Sequence, residues 1–125
     1  MQVLIVDDSA DAAASLIMLL ELEDIAAQSV ADAEAALQLV EHTTPNLLLI
    51  DIGLPGMNGY ELARQLRQNP KLTGVTLIAL TGREGPSAPE QALFDQFWTK
   101  PFDPRRLIEE VKSVLSRATA DRLQA

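Results

Sequence analysis

The chain has 125 residues, enough for one domain with a single buried core. Ten Lys+Arg against eighteen Asp+Glu leave a formal net charge of −8 at pH 7, which argues against direct nucleic-acid binding by this domain, because phosphate backbones require a basic surface. With no cysteine there is no disulfide framework, thiolate metal site or thiol nucleophile, a composition that suits a reducing, cytoplasmic setting.

The amino terminus has no basic flank and only four consecutive apolar residues, so it does not read as a signal peptide, and no apolar run approaches the ~20 residues of a membrane span. Val3-Leu4-Ile5-Val6 is too short for a helix and reads as a buried strand. Leu16, Leu19 and Leu20 then follow helical spacing. A weaker, Ala-rich strand lies near Ala26–Val30, and Ala33, Ala36, Leu37 and Val40 mark a second helix. Its end carries His42, the only histidine, which reads as a solvated last-turn residue and not a phosphodonor. Leu47-Leu48-Leu49-Ile50 is the third strand and ends at Asp51.

Gly53-Leu54-Pro55-Gly56-Met57 is dense in turn formers. Asn58 with Glu61 three residues on resembles a capping box ahead of a helix striped by Gly59, Leu62, Ala63 and Leu66. Val75–Leu80 is the fourth strand, closed by Thr81-Gly82, and Phe97-Trp98-Thr99 is the fifth. Asp103-Pro104 places a cap and a first-turn proline before a helix carrying Leu107, Ile108, Val111, Val114 and Leu115. Strands alternating with helices imply right-handed βαβ crossovers, a parallel sheet and helices on both faces. Residues 1–117 are read as one domain and 118–125 as a tail or the start of a linker.

Ligands of an open parallel sheet bind at the carboxyl ends of its strands. Asp7-Asp8 closes the first strand, Asp51 the third, Thr81 the fourth and Lys100 the fifth. Three converging carboxylates repel one another, by about 4 kcal/mol for each pair ~4 Å apart at an effective dielectric near 20. A cation must compensate, and an all-oxygen donor set favours Mg²⁺, or Mn²⁺, over Zn²⁺. A carboxylate flanked by such an ion and a lysine, with a hydroxyl nearby, is suited to accept a phosphoryl group by in-line attack.

Asp7-Asp8, the run Asp51-Ile52-Gly53-Leu54-Pro55-Gly56-Met57-Asn58-Gly59, Leu80-Thr81-Gly82 and Lys100-Pro101-Phe102 together resemble the signature of response-regulator receiver domains, over essentially the whole chain from Val3 to about Leu115. The resemblance implies a flavodoxin-like, doubly wound five-stranded parallel sheet of order 2-1-3-4-5. It implies two-component signalling: Asp51 is the phosphoacceptor, served by a phosphohistidine of a histidine kinase or phosphotransfer protein. It further implies that Asp8, Asp51 and the backbone carbonyl of Gly53 hold Mg²⁺ with help from Asp7, and that Thr81 and Phe97 form a switch pair. The Lys100–Pro101 bond is expected to be cis, aiming the ammonium at the site. Such a domain is not a conventional enzyme, although it promotes its own phosphorylation and dephosphorylation. A downstream effector is implied without being identified, and the last strand and helix offer a face for homodimerisation.

Eighteen residues separate Thr81 from Lys100, fewer than receivers usually have, and Pro86 and Pro89 oppose helix formation there. A short or irregular fourth helix is therefore expected across Ser87–Leu93, with Leu93 where a glycine commonly precedes the fifth strand. A haloacid dehalogenase-type phosphatase would need an acidic residue where Gly53 stands. A flavodoxin would need a phosphate loop in place of Asp8-Ser9-Ala10-Asp11-Ala12. The stronger rival is a receiver fold used as a docking module without phosphorylation.

Overall fold

The computed structural model describes residues 1–54, 56–82 and 92–124, with side chains described as far as Arg117. Five parallel strands are present: β1 (Val3–Val6), β2 (Ala27–Val30), β3 (Leu47–Asp51), β4 (Thr76–Thr81) and β5 (Gln96–Thr99), in the order β2-β1-β3-β4-β5. Helices α1 (Ala10–Leu22), α2 (Ala33–His42), α3 (Gly59–Gln68) and α4 (Pro104–Gln124) complete a doubly wound, flavodoxin-like α/β fold.

Side-chain alternation along the central strands divides the core into two layers. Leu4, Val6, Leu48 and Ile50 face α2 and α3. Val3, Ile5, Leu47 and Leu49 face α1 and α4. All eight have no accessible surface. This explains why β1 and β3 are unbroken apolar runs: a strand covered on both faces has no polar side to present. Phe97 and Trp98 divide in the same way, Phe97 packing toward α2 and α3 and Trp98 toward α1 and α4. The Trp98 indole N–H donates to Gln96 Oε1 at 3.1 Å.

The helix starts follow capping chemistry. Ser9 caps α1 by accepting from the Ala12 amide, Asp32 caps α2, and Asn58 caps α3 by accepting from the Glu61 amide. The carboxylate of Glu61 pairs with Arg64 on the next turn. Asp103 accepts from the Arg105 amide at 2.9 Å, immediately before Pro104 opens α4. His42 is exposed in the last turn of α2. The backbone of α4 runs on to Gln124, so the terminal segment extends the last helix. The short fourth helix expected over Ser87–Leu93 falls mainly outside the described residues; Ala92 and Leu93 form a turn.

One element was not legible in the sequence. Arg67, in the last turn of α3, donates to the carbonyls of Leu93 (3.0 Å) and Val75 (2.9 Å) and to Asp95 Oδ2 (2.8 Å). Asp95 Oδ2 also accepts from the Leu77 amide at 2.8 Å. One guanidinium therefore ties α3 to the amino-terminal ends of β4 and β5. Arg67→Ala leaves those acceptors without their donor and is expected to cost about 1–3 kcal/mol, read as a lower urea midpoint at unchanged m-value.

Candidate functional site

The parallel register brings the carboxyl ends of β1, β3, β4 and β5 to one edge: Val6 lies beside Ile50, Asp51 beside Leu80, and Thr81 beside Thr99. Asp7 follows β1 directly, Asp51 ends β3 and Thr81 ends β4. Asp7, Asp51 and Thr81 are buried, and Asp8 is exposed at the rim. One carboxylate oxygen from each of Asp7, Asp8 and Asp51 lies within 4.8 Å of the others. Lys100 Nζ stands 3.4 Å from Asp51 Oδ2.

Backbone donors hold the buried carboxylates. Asp7 Oδ1 accepts from the Ser9 amide at 2.9 Å, so the turn that caps α1 also orients Asp7. Asp51 Oδ1 accepts from the Gly53 amide at 3.0 Å, leaving Oδ2 toward Lys100. Lys100 is itself placed through its backbone, its amide donating to the Thr81 carbonyl at 2.7 Å. The Lys100–Pro101 peptide bond is cis. Phe97 is half-buried in β5, its ring meeting Phe94 edge-on at 5.3 Å.

Gly59 matters for a reason the sequence pattern did not expose. A Cβ there would stand 2.8 Å from the Ile52 Cα and 3.0 Å from the Asp51 carbonyl oxygen. The first turn of α3 thus packs directly on the backbone that carries Asp51, and the Gly59 amide donates to the Ile52 carbonyl at 3.1 Å. A glycine opening a helix is a weak former at a position that favours better ones, which was the available signal.

Burial pushes the Asp7 carboxyl above its ordinary value of 3.8; the neighbouring Asp51 and Asp8 charges act in the same direction, opposed by the Ser9 amide and Lys100. The cluster is short of positive charge, and its donors are hard oxygens with no nitrogen or sulfur among them. Three carboxylate oxygens gathered at one point, with no soft ligand among them, are a donor set that suits a hard cation such as Mg²⁺.

Residues 3–112 match the family described as the response regulator receiver domain. An uncharacterised 14.6 kDa protein of Leptolyngbya boryana is 36% identical over 115 residues, covering 90% of this chain and 88% of that protein. The phosphate regulon transcriptional regulatory protein PhoB of Pseudomonas aeruginosa is 33% identical over 118 residues, covering 92% of this chain and 52% of PhoB. The chain spans about half the length of PhoB and of the DNA-binding regulators it matches. Among solved structures, the signal receiver domain of a Syntrophus aciditrophicus histidine kinase superposes with a TM-score of 0.82 at 32% identity, covering 92% of this chain and 89% of that one.

The raised proton affinity of Asp7 has a sign in stability. The folded state binds this proton more tightly than the unfolded state, so ionisation of Asp7 opposes folding. Below 3.8 the carboxyl is protonated in both states and the penalty is absent; it grows as pH rises from 3.8 through the higher folded value. Asn keeps an oxygen for the Ser9 amide and loses the charge. In EDTA, Asp7→Asn is therefore expected to melt higher than the unaltered chain at pH 7, by about 3–5 °C for each kcal/mol relieved. Calorimetry should show the difference shrinking as pH approaches 4.

Proposed function

This chain belongs to the response regulator receiver domain family, and on that premise we propose that it accepts a phosphoryl group from a phosphohistidine of a partner histidine kinase, or of a phosphotransfer protein, onto Asp51. The observation that carries the proposal is the meeting of three carboxylates within 4.8 Å with an ammonium 3.4 Å from the central one. Asp51 Oδ2 is the nucleophile, because Oδ1 is held by the Gly53 amide. Lys100 neutralises charge on the transferring group, and Thr81, buried at the end of β4, hydrogen-bonds a phosphoryl oxygen.

Asp7, Asp8, Asp51 and the carbonyl of Gly53 would hold Mg²⁺, or Mn²⁺ in its place; when bound, the ion would neutralise oxygens of the phosphoryl group. Phosphorylation draws Thr81 toward the site and lets Phe97 turn inward. A local charge change is thereby converted into a different partner-binding face. The domain is a signalling module whose own residues promote gain and loss of the phosphoryl group. Residues 1–117 form the receiver unit, and residues 118–125 are a tail or the start of a linker. The setting proposed is cytoplasmic, in keeping with the absence, among the described residues, of a helix long and apolar enough to cross a membrane.

Intact-mass measurement after incubation with acetyl phosphate and Mg²⁺ tests this directly. One added phosphoryl group is expected, abolished by EDTA and by Asp51→Asn. Lys100→Ala is expected to slow the reaction by about 10²-fold, the order lost with one charge-stabilising donor. An unchanged mass in the unaltered protein, or a gain that persists in Asp51→Asn, would sink the assignment and favour a docking module that works without phosphorylation.

A further inference from the structure

The acidic site is continuous with a feature that phosphoacceptance alone does not use. A cavity of about 310 Å³ lies between α1 and the β5–α4 connection, walled by Leu16, Leu80, Pro101 and Phe102. Its size stands at the lower end of small-molecule sites, which run from about 300 to 1,000 Å³. Two of its lining residues, Asp7 and Lys100, belong also to the acidic site. The walls are fixed parts of the fold: Leu16 and Leu80 are buried, and the Phe102 ring meets Trp98 edge-on at 6.2 Å.

Resting on the reading of Asp51 as phosphoacceptor, we propose that this cavity receives the leaving group of the phosphodonor, and that the small donors it favours are acyl phosphates with an aromatic or extended apolar acyl group. The complementarity has two parts. Lys100 attracts the anionic phosphoryl end, and the apolar walls beside it remove the other end from water. In the transfer, an Asp51 carboxylate oxygen bonds to phosphorus as the bond from phosphorus to the acyl oxygen breaks. The electron pair of that bond leaves with the acyl group as a free carboxylate. One mixed anhydride replaces another, so no proton, oxidant or further reactant is required. In-line displacement sends the leaving group away from the attacking oxygen, and the cavity gives an apolar leaving group a place to rest.

Acetyl phosphate and benzoyl phosphate differ in the acyl group and derive from acids of similar strength, so they isolate this effect. With Mg²⁺ present, benzoyl phosphate is expected to phosphorylate the unaltered chain with an apparent second-order rate constant about tenfold higher, the discrimination that a modest apolar pocket provides. Ala12 and Ser15 are exposed on α1 and line the cavity. Ala12→Phe and, separately, Ser15→Phe fill it from the surface and should bring the ratio of the two rates close to one, each variant acting as its own reference. Equal rates in the unaltered chain, or a preference that survives in both variants, overturn the leaving-group pocket while phosphoacceptance stands. A mass gain from neither donor overturns both readings.

Discussion

The carboxylates of Asp7, Asp8 and Asp51 repel one another, and the local structure around them is what holds them together. Like charges this close oppose assembly, most strongly between the buried Asp7 and Asp51 and less at Asp8, which solvent screens. Three supports keep the cluster in place. The β1–β3 pairing buries Val6 and Ile50 completely, just before the acids. The Ser9 and Gly53 amides each fix one carboxylate oxygen. Lys100 supplies the one cation within ion-pair distance of Asp51 among the described residues. The remaining deficit of positive charge makes the site receptive to a metal ion.

The same supports tie chemistry to scaffold. Ser9 caps α1 with its side chain and orients Asp7 with its amide, so helix start and site share one residue. Gly59 lets α3 rest on the backbone of Asp51 and Ile52, which couples the strand ending at Asp51 to that helix. On the other side, Phe97 and Phe94 meet edge-on, and Phe94 also meets Tyr60 of α3 at 6.1 Å. Three aromatic rings therefore link the strand carrying the switch candidate to the helix seated on the acidic loop. At the opposite end of the sheet, Arg67 anchors the starts of β4 and β5, which positions Thr81 and Lys100 at their far ends.

Much of this is legible in the sequence alone. The apolar runs of β1, β3 and β4, the caps Asn58 and Asp103, and the order of acidic and basic residues at strand ends each carry their own local signal. The strand limits moved by a single residue at most, as the starts of β2 and β5 show, because hydrogen-bond pairing and hydrophobic pattern need not stop together. The capping box was half right: Asn58 caps, but the Glu61 carboxylate turns to Arg64. The Arg67 clasp left no trace, since its partners are carbonyls and an aspartate brought near only by folding.

The sequence by itself determined the alternation of elements, the fold class and the identities of the acids, the lysine and the threonine, because periodicity and residue chemistry are properties of the chain. Only the tertiary structure decided which oxygen of Asp51 the Gly53 amide holds and which faces Lys100, how closely the three carboxylates approach and that Gly59 lies against the backbone of Asp51 and Ile52. It alone revealed the apolar cavity beside them. Those are distances between residues remote in sequence, fixed by sheet register and helix packing, and no local pattern encodes them.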